Sequence, residues 1–115
     1  MPLDKSLLAG STTMLVLKLL DGQDMYGYQM IETLRSRSEH AFDLKAGTLY
    51  PLLHSLEEKE LIRSYEKDEG AARPRRYYHL ERKGQHLLRE KEVEWATFTT
   101  AVDRVLKGGV CLGSA

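Results

Sequence analysis

The chain is short of the residues that would tie it together covalently or hold a metal. Its 115 residues include a single cysteine, Cys111, and only three prolines and one tryptophan. A lone cysteine has no partner within the chain, which excludes a disulfide framework and a cysteine-based metal site. Net charge is absent as well: 17 Lys/Arg balance 17 Asp/Glu, so no global polycation drives indiscriminate polyanion binding. Long apolar runs are missing, and the longest, Met14 to Leu17, is far too short to span a bilayer. No signal-peptide pattern opens the chain, so the expected setting is the reducing cytoplasm, without membrane contact. Catalytic equipment is equally scarce. There is no Ser/His/Asp set, glycine-rich phosphate loop or clustered carboxylate pair, and no second His or Cys stands at ligand spacing from His54. The expectation is a non-enzyme with no metal and no cofactor.

What is present suits one globular domain with a modest core: 42% hydrophobic and 30% charged residues. Charge is unevenly spread. Residues 61–80 carry 5 Lys/Arg against 3 Asp/Glu, whereas residues 1–60 carry 6 against 9. The positive concentration lies in Arg73, Arg75, Arg76, Arg82 and Lys83, a local basic spot that favours a specific docking geometry.

Hydrophobic periodicity sets the elements. Leu3 to Leu20 reads as a first helix, either interrupted at Gly10-Ser11 or restarted there with Ser11 as N-cap. Asp24 is the expected cap of a second helix, Met25 to Arg37, with Gly27, Met30, Ile31 and Leu34 as its inner stripe. Gly27 costs about 1 kcal/mol of helix propensity, which suggests close helix–helix packing there. A third helix runs roughly from Ala46 to Glu60. Its Leu49, Leu52, Leu53 and Leu56 fall at i, i+3, i+4 and i+7, while Gly47, Pro51, His54 and Glu58 point away, flanked by Thr48, Tyr50 and Ser55. A helix held down by leucines and offering Thr, Tyr and His from its first turns suits reading of a major groove. Two strand-like runs, Ile62 to Glu66 and Arg75 to Leu80, flank a Gly/Pro/charged loop and predict an antiparallel hairpin, with Tyr78 facing inward.

From Arg82 to Lys107 the period is helical again. Leu88, Trp95, Phe98, Val102 and Val105 make a coiled-coil-like seam, with Lys91 in the one missing slot. Helix, helix, helix, hairpin, long helix describes a mainly α protein with a small β-hairpin: a winged helix-turn-helix with a long C-terminal dimerisation helix. The expected division is 1–81 for the winged helix-turn-helix domain, 82–107 for the dimerisation helix and 108–115 for a flexible tail. No element remains to cover the seam, so a second copy is the expected partner, with Leu7 or Leu8 joining the interface.

Tyr26-Gly27-Tyr28, Gly47-Thr48-Leu49-Tyr50-Pro51, Leu56-Glu57-Glu58-Lys59 and Arg76-Tyr77-Tyr78-His79-Leu80 followed by Gly84 carry a resemblance to a known family. From about Leu7 to Leu106 the chain resembles the short subfamily of PadR transcriptional regulators. That resemblance implies a homodimeric repressor on an inverted-repeat operator in double-stranded DNA, with the third helix in the major groove and the wing on backbone or minor groove. As in some short members, it also implies a flat aromatic or cationic ligand between subunits beside Trp95. From the residues themselves, Glu92 or Glu94 is the expected opposing charge if one turns inward. The chain departs from the family pattern at Lys45, where Ser or Thr commonly caps the third helix, at Glu60, commonly Gly, and at Glu81, commonly Thr. The expected DNA contacts are therefore Lys45, Arg73, Arg75 and Arg76 on phosphates and Thr48, Tyr50 and His54 on bases. The competing reading is a winged-helix protein-interaction module without specific DNA binding.

Overall fold

The computed structural model describes residues 5–70 and 73–108. Cys111 and the rest of the expected tail beyond Gly108 lie outside them. The amino-terminal apolar segment forms two helices, α1 (Lys5–Ala9) and α2 (Thr12–Leu19). Ser11 does not cap α2. Its hydroxyl donates backward to the carbonyls of Leu7 and Leu8 at 3.3 and 3.2 Å, and that of Thr12 donates to Leu8 at 2.6 Å. Both side chains thus satisfy carbonyls orphaned at the end of α1 instead of amides at the start of α2. Val16, Leu17, Leu19 and Leu20 are buried, which makes this segment the keel of the core.

Next come β1 (Met25–Tyr26), α3 (Gly27–Arg37) and α4 (Ala46–Glu58). The expected second helix starts two residues late, because Met25 and Tyr26 pair with Tyr78 and Tyr77 of the hairpin. Asp24 is not its cap either. Tyr26 holds that position, and its N–H donates to the Gln29 side chain at 3.4 Å. The expected inner stripe, Gly27, Met30, Ile31 and Leu34, is buried.

The hairpin strands are β2 (Ile62–Lys67) and β3 (Arg75–Leu80), and the sheet runs β1-β3-β2, all antiparallel. Its register places Ile62 opposite Leu80, Ser64 opposite Tyr78 and Glu66 opposite Arg76; these pairs share one face, which carries the buried Ile62, Tyr78 and Leu80. Arg63–His79, Tyr65–Tyr77 and Lys67–Arg75 occupy the other face by the period-2 alternation of strands.

The chain closes with α5 (Arg82–Leu106), whose 25 residues rise about 37 Å. It is seated by Gly84, where an added Cβ would collide with the Leu61 carbonyl, and by Leu88, fully buried. Leu88 is therefore a core residue of the single chain and not part of an intermolecular seam. Lys18 of α2 reaches Glu92 at 3.4 Å, α1 borders the following turns as far as Phe98, and beyond them α5 projects from the body, giving extents of 63 × 32 × 21 Å. No described helix is long and apolar enough to cross a membrane.

Candidate nucleic-acid interface

Helix α4 is anchored through buried Leu49, Leu53 and Leu56 and half-buried Leu52, which leaves Gly47, Thr48, Tyr50, Pro51, His54 and Glu58 exposed on the opposite side. The outward face is short and uneven enough to approach a groove closely. His54 Nε2 lies 3.4 Å from Glu58 and its side chain is 76% exposed, so this pair contributes little to stability and leaves the imidazole available. Tyr50 has a double placement. A Cβ on Gly27 would collide with the Tyr50 ring, so the ring serves as the spacer between α3 and α4 while part of it stays at the surface. This identifies the close approach that Gly27 signalled.

Lys45 stands at the N-cap position in extended conformation. Its carbonyl accepts from the Thr48 and Leu49 amides at 3.0 and 2.9 Å, but its side chain does not cap. The ammonium instead donates to Asp43 at 2.7 Å, and Asp43 also receives Arg35 at 3.1 Å. The hydrogen bond from Lys45, then that from Arg35, holds the Asp43 carboxyl below the usual carboxylate range. Two cations thus flank one ionised carboxylate where the exposed face of α4 begins.

The basic residues of the wing do not form one patch. Alternation sends Arg75 and Arg76 to opposite faces of β3. Arg75 lies over the Tyr26 ring at 4.5 Å and meets Glu69 at 3.3 Å. Arg76 donates to Ser64 Oγ at 3.3 Å, and Ser64 in turn donates to Glu57 of α4 at 2.6 Å, which puts Arg76 on the α4 side. Arg73 is exposed in the wing loop. Glu69 is held below the usual carboxylate range chiefly by the Tyr77 hydroxyl, aided by Lys67 and Arg75, and in return it pushes the Tyr77 phenol up.

Sequence reasoning missed three features here. Lys67 packs over Tyr77 at 5.3 Å and joins the wing cations; its pairing with Arg75 across the hairpin was the available signal. Tyr28 is 62% exposed at the start of α3. Asp24 and His79, 55 residues apart, are joined at 2.8 Å, and no local pattern announces that contact.

A second candidate surface lies between α1 and α5. Leu7, Gly10, Met14, Lys91, Glu94, Trp95 and Phe98 line a largely apolar groove of about 380 Å³, with the Trp95 and Phe98 rings 5.9 Å apart. Glu94 borders it, whereas Glu92 is turned to Lys18. Leu8 is half-buried against the body.

Two helices of a helix-turn-helix, an exposed polar face on the second and a tethered basic wing define a winged-helix DNA-binding protein. More narrowly, the chain belongs to the PadR-like family of transcriptional regulators, whose model matches residues 16–90. It is similar to a PadR family transcriptional regulator from Eggerthella lenta, with 35% identity and a TM-score of 0.78 over 90% of this chain and 88% of that one. A PadR-like transcriptional regulator from Bacillus cereus is 27% identical, with a TM-score of 0.79 over 90% and 98% of the two chains. An uncharacterised protein of Lysinibacillus sphaericus is 30% identical over 102 residues, 89% of this chain and 94% of that protein.

Proposed function

We propose that this regulator is a cytoplasmic homodimeric repressor that binds an inverted-repeat operator. Residues 1–81 form the reading module, and residues 82–107 the dimerisation helix. Thr48, His54 and the exposed edge of Tyr50 read bases, while Lys45, Arg73 and Arg76 contact phosphates, with Arg75 and Lys67 shaping the wing. No reaction is assigned to any residue. The observation that carries this reading is the leucine-anchored α4, with its short polar face turned outward beside Arg76. The dimer is carried by α5: Trp95, Phe98, Val105 and Leu106 are 45, 57, 78 and 76% exposed. At 100° per residue these four and Val102 share one stripe, continuous with exposed Leu7 in the α1–α5 groove. Leu106 is an addition to the expected seam, and Leu8 a marginal member.

The test is selection of duplexes from a random pool by the purified protein. An inverted repeat with half-sites about 10 bp apart is the expected product. Weak, sequence-indifferent binding would favour a protein-interaction module instead.

The groove beside Trp95 favours a second function, release by a flat aromatic or cationic ligand stacked on the indole, with Glu94 as counter-charge. A cation over the ring contributes about 0.5–2 kcal/mol. Since Trp95 is the only tryptophan, its emission reports occupancy directly. Quenching by planar cations together with weaker operator binding is the expected result; quenching with unchanged operator affinity would separate the pocket from regulation.

A further inference from the structure

DNA contact through both α4 and the wing requires a fixed angle between them, and one carboxylate is placed to set it. Asp24 immediately precedes β1, which leads into α3 and so to the Gly27–Tyr50 junction with α4. Its Oδ2 accepts from the Tyr65 hydroxyl at 2.6 Å, and its Oδ1 meets His79 Nδ1 at 2.8 Å. Tyr65 belongs to β2 and His79 to β3, so each oxygen of one carboxylate holds a different strand of the wing.

The chemistry fixes the donors. Burial pushes the Asp24 carboxyl up, but the hydrogen bonds from Tyr65 and His79 and the charges of His79 and Arg63 outweigh it and hold it below the usual carboxylate range. An ionised carboxylate only accepts, so His79 Nδ1 carries a proton in either charge state of the ring, and the phenol hydrogen points at Asp24. The neighbouring aromatic contacts run in the same direction. Tyr26 meets the Tyr77 ring edge-on at 5.4 Å, Tyr77 stacks on Tyr65 at 5.9 Å, and Arg75 covers Tyr26. Among the described residues, the only backbone pairing between this corner and the hairpin is the two-residue β1.

The network lies at the edge of the core. Ile62, Tyr78 and Leu80 fill the buried face of the sheet, whereas Asp24, Tyr65, Tyr77 and His79 are only partly buried and border a recess of about 540 Å³ that Leu20 and Leu80 also line. Its loss should therefore loosen the wing without dismantling the domain.

We infer that Asp24 is a positioning residue for DNA binding, a two-oxygen clamp that holds both wing strands at a set angle to the helix-turn-helix. The inference rests on the proposed DNA reading for its purpose, but its structural content is testable without DNA. The experiment compares the full-length protein with Asp24→Asn and Tyr65→Phe by amide hydrogen exchange, then by operator affinity and hydroxyl-radical footprinting. Hydrogen bonds to a charged group are strong enough that breaking one should speed exchange at wing amides such as Lys67 and Arg75 by about tenfold. Exchange at the core amides of Leu17 and Leu53 should not change. On DNA, protection beneath the wing should fade while protection beneath α4 persists. Unchanged wing exchange in both variants, or wing and core exchange rising together, overturns the clamp. If Asp24→Asn does not fold, Tyr65→Phe, which removes one hydroxyl and keeps the ring, decides alone by the same criteria. A wild-type protein that selects no DNA site sinks the DNA reading, and the exchange result still decides the clamp.

Discussion

At the end of α4 a single residue adopts a conformation its type disfavours. Glu60 has φ 62°, its amide donates to the Glu57 carbonyl at 2.9 Å, and the Leu61 amide donates to the Leu56 carbonyl at 3.0 Å. That pair of bonds is a Schellman ending, and Leu56 and Leu61, both buried, supply its usual apolar contact. A left-handed residue with a side chain pays about 1–2 kcal/mol that glycine avoids, offset in part by glycine's greater freedom in the unfolded chain. Glu60→Gly should therefore raise stability by about 0.5–1 kcal/mol, read as a higher urea midpoint at constant slope. Destabilisation would mean that the turn is held by the Glu60 side chain. Asp24 gives a pH dependence at the same scale. Its folded-state pKa is depressed, so its contribution is present above its unfolded value of about 3.9 and is lost as pH falls through the lower folded value. Because Asp24 holds only the wing, the loss should appear below about pH 4 as reduced protection of the wing amides, with the core amides of Leu17 and Leu53 unchanged, and Asp24→Asn should remove that pH dependence.

Between elements, the two tight glycine contacts differ in what lies opposite. At Gly84 an added methyl meets the Leu61 carbonyl, part of the backbone that also accepts the Glu81 amide at 3.0 Å, so α5 must shift. Gly84→Ala should cost about 1–3 kcal/mol in urea unfolding. At Gly27 the obstacle is the far end of the Tyr50 side chain, which can swing aside; Gly27→Ala should cost less and alter DNA binding more. The wing divides similarly. Arg76→Ala should flatten the log K against log salt slope by about 0.9, one phosphate contact, whereas Arg75→Ala should leave the slope nearly unchanged because its guanidinium is committed to Tyr26 and Glu69. Equal slopes for both variants would return the two arginines to one patch. These contrasts also mark what was legible in the chain. The helices were, because four leucines at helical spacing in α4 and the stripe of α3 leave one arrangement. The hairpin was, because buried Tyr78 and Leu80 alternate with the half-buried Tyr77 and His79. β1 was not, since two residues carry no period, and the Asp24–His79 contact depends on strand pairing 55 residues away. Arg73, Arg75 and Arg76 read as one cluster until pairing sends alternate side chains to opposite faces.

For the molecule as a whole, the decisive feature is where the body stops and α5 continues. Periodicity reveals a stripe but not the point at which the chain's own core ceases to cover it, which is why Leu88 and Trp95 look equivalent in sequence. Leu88 is 0% exposed and Trp95 is 45% exposed. A projecting helix with an apolar stripe would leave a water-exposed ridge on a single chain, and a two-fold pairing of identical stripes removes it with no new element. The same division dictates the variant. Truncation upstream of Leu88 would open the core, whereas Phe98→Asp leaves Gly84 and Leu88 seated and places a charge on the stripe. The intact protein should sediment as a dimer at micromolar concentration, and Phe98→Asp as a folded monomer that keeps most of its helical circular dichroism and a cooperative unfolding transition. If two reading helices engage one inverted repeat, the monomer should bind the full operator only about as tightly as a single half-site, because linkage of the two binding events is lost. A Phe98→Asp protein that remains dimeric would move the interface off the α5 stripe. A monomeric one that keeps full operator affinity would leave dimerisation intact as an assignment and remove it from DNA recognition.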